Sequence, residues 1–197
     1  MRGDVMARKP ASDRVLDAAV SAFSELGFHG TSTREIASRA GMSPAAVYTH
    51  FSSKEELLFE IARRGNERFL ALLHRAAAQG VTPPERLASI VYEFALFHAR
   101  GHIGARVVNY ELPALTTEHA QEIKALRRQM VDVVRSVIEA GLQTGEFDTP
   151  DPSMTCVAMM TMGQDVARWY REDGRWAPEE IAAHYRGLAL RMLGAKF

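Results

Sequence analysis

Apolar side chains recur along this chain at three- and four-residue spacing, the period of α-helices laid against a core. A first apolar helix ends in Ala22-Phe23. Residues 54–79 read as one long helix carrying Leu57, Leu58, Ile61, Phe69, Leu72 and Leu73, broken by Gly80 and Pro83-Pro84. Residues 84–100 repeat the pattern with Leu87, Ile90, Val91, Phe94 and Phe97. Gly101 and Gly104 predict a short irregular link, and residues 105–112 a short helix stopped by Pro113. Thr116 or Thr117 then caps a helix reaching about Gly145, striped by Ile123, Leu126, Met130, Val133, Val134, Val137, Ile138 and Leu142. After a turn over residues 147–152, residues 153–172 and 178–193 form the last two helices. No segment alternates convincingly as a strand, and no repeat is present. The chain is predicted to be all-α, with about nine helices.

The most specific stretch is residues 31–58, TSTREIASRAGMSPAAVYTHFSSKEELL. Ser32 and Glu35 have the spacing of a capping box, so a helix should start near Thr33. Ile36, Ala37 and Ala40 give it an apolar face, and Gly41 ends it, because glycine tolerates the left-handed conformation of a sharp turn. Ser43 is a suitable N-cap and Pro44 a suitable first residue for a second, short helix reaching about His50. Val47 and Phe51 would tie that helix to the core, while the small Ala45 and Ala46 would let its backbone approach a surface. Tyr48, Thr49 and His50 would point outward. Ser53 and Glu56 form a second capping-box pattern, with Lys54 in the first turn that follows. Two short helices joined by a tight turn have the layout of a helix-turn-helix reading head.

This segment resembles the DNA-binding domain of the TetR family of transcriptional regulators. The likeness rests on Ala22-Phe23, Leu26-Gly27-Phe28, Thr31, Thr33, Ile36-Ala37, Ala40-Gly41, Val47-Tyr48, His50-Phe51 and Lys54-Glu55-Glu56-Leu57, spanning residues 12–60 without a gap. Pro44-Ala45-Ala46 departs from the Lys or Ser then Gly that many members carry. The resemblance implies a reading helix, Ser43 to His50, lying in the major groove. It implies DNA contacts by Thr33, Arg34, Ser43, Pro44, Ala45, Ala46, Tyr48, Thr49, His50 and Lys54, with Thr33 and Lys54 on the phosphate backbone. Arg8 and Lys9 would follow the backbone or minor groove from an N-terminal arm. The expected division is residues 1–56 for DNA binding, with 1–11 a flexible arm, and 57–197 for ligand binding and dimerisation.

Composition constrains this reading. The chain has 197 residues, is 47% hydrophobic, and balances 24 Lys+Arg against 24 Asp+Glu. Residues 1–60 carry Arg2, Arg8, Lys9, Arg14, Arg34, Arg39 and Lys54 against a slightly larger set of acids. Charge-dominated, non-specific binding is therefore disfavoured, and a site-specific reader must turn its bases toward DNA and its acids away. The lone Cys156 excludes an internal disulfide and reads as a small buried apolar residue. Without an apolar leader or a run of about 18 apolar residues, the chain is expected to be cytoplasmic and off the membrane.

Residues 153–167 are apolar or small around most of a helix, which must then be buried on all sides. Ile181, Tyr185, Leu188, Ala189, Met192 and Leu193 form a further stripe on the last helix. A homodimer with a four-helix interface from these two helices follows, and the resemblance implies the same. Its two heads would sit about 34–36 Å apart on a roughly palindromic, double-stranded operator.

Most TetR-like proteins are repressors released by a small molecule. Phe94, Phe97, Met130, Met159, Met160, Met162 and Trp169 could line an adaptable apolar pocket, although each taken alone reads better as core. Arg168-Trp169-Tyr170 resembles a segment of members that respond to acyl-CoA thioesters or other lipid-like molecules. Arg168 could meet a carboxylate or phosphate, aided by Arg127 and Arg128; a solvated arginine beside interface aromatics is the other reading. No cofactor is expected. His98 and His102, with Glu93 and Asn109, could suggest a metal, but Gly101 should break the helix between the histidines, so no metal site is assigned. The rival classes are a helical-bundle enzyme and a non-DNA interaction module; no G-x-S-x-G and no G-x-x-x-x-G-K supports the first.

Overall fold

The computed structural model describes residues 9–195. Among these there are nine α-helices and no strand: α1 (Ala11–Gly30), α2 (Thr33–Ala40), α3 (Pro44–Tyr48), α4 (Lys54–Ala77), α5 (Pro83–Arg100), α6 (His102–Tyr110), α7 (Thr117–Thr144), α8 (Pro152–Trp169) and α9 (Pro178–Met192). A 3-10 turn, Leu112–Ala114, joins α6 to α7. The all-α expectation holds.

Local chemistry sets most helix starts. Ser32, Ser43, Ser53, Thr82, Thr116 and Asp151 each accept a hydrogen bond from the backbone N–H three residues on. The two predicted capping boxes are only half made. Glu35 turns to Arg39, and Glu56 reaches past Ser53 to the backbone and hydroxyl of Ser52. The complete box lies at Thr82 and Glu85. Gly41 and Gly145, at φ +64° and +75°, end α2 and α7 in the left-handed region. Gly141 serves a different need: a Cβ there would fall 2.1 Å from the Phe147 ring, which packs beneath α7.

Two large apolar cores result, beside two small clusters. Val15, Ala19, Phe23, Ile36, Val47, Leu57, Leu58 and Val107 form the smaller, around α1–α3. Phe69, Leu73, Leu87, Ile90, Phe94, Met130, Val134, Ile138, Cys156, Met159 and Leu193 form the larger. Helix α4 supplies residues to both, so a shift of its axis is felt in each. Burial raises the Cys156 thiol above its usual range.

Several sequence boundaries move. The reading helix ends at Tyr48, with Thr49 and His50 in the following turn rather than in the helix. The irregular link expected between Gly101 and Gly104 is absent. Gly101 alone makes the joint, and Gly104 lies inside α6 with nothing near its missing Cβ. Helix α8 stops at Trp169, before the expected residue 172.

Candidate DNA-reading head and effector cavity

The head is built outward from α1. Gly27, at φ +71° and ψ 166°, interrupts that helix, and the chain turns so that the Thr31 hydroxyl donates to the carbonyls of Ala22 (3.2 Å) and Gly27 (2.7 Å). This buried threonine fixes where α2 begins. Helix α3 is anchored by fully buried Val47, with Phe51 buried four residues on. The opposite side carries exposed Ser43, Pro44, Ala45, Tyr48, Thr49 and His50, with Ala46 half-buried. Tyr48 is 54% exposed, and its hydroxyl lies 3.4 Å from the Thr33 hydroxyl of α2, so the two helices present one polar edge.

The cations of the head differ in availability. Arg39 is held between Glu25 and Glu35 at 2.8 Å from each, and its side-chain hydrogen bonds to both raise its pKa. Arg14 donates to the Ala40 carbonyl. Lys54 points inward: its ammonium donates to the carbonyls of Phe28 (2.6 Å) and Thr31 (2.7 Å) and lies 4.3 Å from the Phe28 ring centre. An ammonium has three protons, so one remains for an outside partner. Arg34 is exposed. Lys9 pairs with Asp17 of α1; Arg8 lies outside the described residues.

A cavity of about 900 Å³ opens between α4, α5, α6, α7 and α8 and reaches the side of α1. Of the proposed pocket residues it gathers Phe94, Phe97, Arg127, Met130 and Met160. It does not gather the rest. Met159 is buried in the larger core, one position round the helix from Met160. Met162 lies outside the lining. Arg168 is exposed and bound to Asp165 within its own helix. Trp169 packs near Trp176 and Tyr185, at the far end of α8. The Arg168-Trp169-Tyr170 trio is therefore no part of this cavity.

Residues the sequence did not assign to the pocket complete its wall. The Asn109 side-chain oxygen accepts from Arg127 (3.0 Å) and Gln164 (2.8 Å), joining α6, α7 and α8. His98 lines the cavity with Nδ1 3.0 Å from the Phe94 carbonyl. A carbonyl only accepts, so Nδ1 carries a proton. Burial first, and the nearby Arg127 charge second, push its pKa down to about 4. His102 bonds the Ala99 carbonyl instead, and no metal-holding group of three or more such side chains occurs among the described residues. The helical spacing of Phe94, Phe97 and His98 is the signal that could have placed His98 here.

Outside these sites, α8 leaves Met154 (69%) and Val157 (56%) exposed, and α9 leaves Met192 exposed. The stripe expected on α9 divides: Ile181, Ala189 and Leu193 turn into the chain, while Tyr185 and Leu188 are only partly covered. No helix among the described residues is long and apolar enough to cross a membrane.

Comparison with known proteins agrees with this geometry. The family described as "Bacterial regulatory proteins, tetR family" matches residues 15–61, and "Tetracyclin repressor-like, C-terminal domain" matches residues 80–193. A solved bacterial regulatory protein in the tetR family from Rhodococcus RHA1 is 38% identical and superposes with a TM-score of 0.91, covering 96% of this chain and 100% of that one. AibR, solved in complex with isovaleryl coenzyme A and operator DNA, is 26% identical with a TM-score of 0.84, over 95% of this chain and 100% of that one. The fatty acid metabolism regulator protein of Bacillus subtilis (strain 168) is 23% identical over 171 residues, 86% of this chain and 88% of that protein.

Proposed function

The chain belongs to the tetR family of bacterial regulatory proteins and is a DNA-binding transcriptional regulator, and from that premise we propose that it works as a homodimeric repressor that a small apolar ligand releases from a palindromic operator. The observation that carries the reading is α4. Its first turns hold the reading head, and its later turns wall the cavity through Phe69 and Leu72. A ligand that fits one placement of α4 better than another biases the spacing of two paired heads by its difference in affinity.

The reading surface is Thr33, Arg34, Ser43 to Ala46 and Tyr48 to His50, set against base edges and phosphates in the major groove. Exposed Met154, Val157 and Met192 support pairing of α8 and α9 with their copies, since apolar groups along two adjacent helices favour a four-helix seam. The structure of AibR with isovaleryl coenzyme A, and the fatty acid metabolism regulator, support an acyl-CoA thioester or another lipid-like molecule as effector class. Its apolar part would lie against Phe94, Phe97, Met130 and Met160. Binding DNA implies a place in the cytoplasm.

A gel shift with the DNA upstream of the chain's own gene, followed by titration with acyl-CoA thioesters of several lengths and with free acids, tests the proposal. A retarded band that none of them releases would remove the lipid-like effector; the absence of any band would remove repression at that site.

A further inference from the structure

Among the described residues Arg127 is the half-buried cation of the cavity without an ion-pair partner; Arg68, which also borders the cavity unpaired, is exposed. Arg127 stands on α7 in a stretch of the lining that also holds the apolar Leu72, Phe94, Phe97, Met130, Val131 and Met160. Its one hydrogen bond is to the neutral side chain of Asn109, and a guanidinium carries five donors. The carboxylates that also border the cavity do not reach it. Asp13 is bound to Arg64 and Asp17 to Lys9, and among the described residues neither Glu93 nor Glu172 forms an ion pair with Arg127. With its pKa pushed down to about 4, His98 is neutral near pH 7 and adds no second charge. Burial pulls the pKa of Arg127 below its ordinary value. A half-buried cation without an anion carries part of a desolvation cost, and a ligand that supplies the anion offsets it on binding.

We propose that the effector carries an anionic oxygen group, a carboxylate or a phosphate, that docks on Arg127 at the junction of α6, α7 and α8 while its apolar body fills the space between Phe94, Phe97 and Met160. This rests on the effector reading above and narrows it from any apolar molecule to an anionic amphiphile. The Asn109 oxygen, itself held by the Gln164 amide, accepts from the guanidinium and fixes it, so the ligand meets a preformed fork rather than a free side chain.

Isothermal titration of the full-length protein with decanoate, 1-decanol and decanoyl-CoA tests this. Decanoate, or decanoyl-CoA, binds at least about tenfold tighter than the alcohol. Arg127→Met weakens the anionic probe roughly 10- to 100-fold and leaves the alcohol unchanged, and Arg127→Lys recovers part of the loss. Dependence of decanoate on Arg127 assigns a carboxylate; dependence of decanoyl-CoA alone assigns the phosphates. Equal affinity for decanoate, decanoyl-CoA and decanol, or no change with Arg127→Met, overturns the inference and leaves an apolar effector standing. Failure of all three to bind overturns both. Should Arg127→Met not fold, the comparison of the three probes on the unaltered protein decides the matter alone.

Discussion

Nδ1 of His119, in the first turn of α7, lies 2.8 Å and 3.0 Å from the two carboxylate oxygens of Glu55, in the first turn of α4. The imidazole also stacks on Phe59 of α4, with ring centres 3.7 Å apart and planes 6° from parallel. The Thr116 N–H donates to the same Glu55 carboxylate at 2.9 Å. The helix that begins in the reading head and a helix that walls the cavity are thus joined at their N-terminal ends.

That joint should be measurable as a coupling. His119→Ala removes both the stack and the hydrogen bond, and is expected to cost roughly 1–3 kcal/mol. Glu55→Ala should cost a similar amount, and the double variant less than the sum, because both changes break one contact. Urea unfolding of the four proteins checks this; additive losses would mean that the two residues do not share an interaction.

Tyr48 offers the cleanest separation of binding from folding. Its neighbour Val47 is fully buried, while Tyr48 itself is more than half exposed. Tyr48→Ala is expected to lower operator affinity by roughly tenfold or more, while the melting temperature and the oligomer stay unchanged. Tyr48→Phe, which keeps the ring and loses the hydroxyl near Thr33, separates stacking from hydrogen bonding. Fluorescence anisotropy with labelled operator provides the measurement.

Lys54 is expected to behave otherwise. Its bonds to the Phe28 and Thr31 carbonyls close the gap between α1 and α2, so Lys54→Met should destabilise the protein by about 1–3 kcal/mol. If its third proton also meets a phosphate, the slope of log affinity against log salt falls by about one. Thermal melts together with a salt series distinguish a residue that shapes the head from one that does both; an unchanged slope removes the phosphate contact.

The contrast between Tyr48 and Lys54 shows what could be read from the sequence. The caps at Ser32, Ser43 and Ser53 act within four residues, so the head's helix starts follow from local spacing. The inward turn of Lys54 depends on carbonyls 23 and 26 positions away, which spacing does not report. The same limit applies to the cavity. Met159 and Met160 are adjacent on α8, yet one enters the core and the other the cavity, and only the placement of α5 and α7 around them decides which. Gly104 reads as a breaker, but the bend is taken up wholly at Gly101, leaving the later glycine an ordinary helical residue.

His98 makes stability depend on pH. Its native pKa of about 4 lies below the 6.5 of an unperturbed histidine, so the unfolded chain takes up a proton that the folded chain refuses. The neutral ring's contribution is complete above pH 6.5 and is lost as pH falls from 6.5 towards 4, up to about 3 kcal/mol. His98→Gln should flatten that part of the curve without removing the carboxylate titrations at lower pH. Chemical denaturation at half-unit steps between pH 7 and pH 4 provides the check; parallel curves for the two proteins would show that His98 is not buried neutral.

Val157 tests the pairing of chains. It is 56% exposed within one chain and lies on α8 one turn from Met154, so an arginine there finds solvent in the monomer. In a four-helix seam the same arginine would be buried near its symmetry copy, and a two-fold interface places every substitution twice. Val157→Arg is therefore expected to weaken self-association by roughly tenfold or more while leaving the melt of the monomer intact. Operator affinity should fall with it, because two half-sites are then no longer held at a fixed distance. Sedimentation velocity across a concentration series reads the first effect and anisotropy the second; a variant that sediments as the unaltered protein does would place the seam elsewhere than α8.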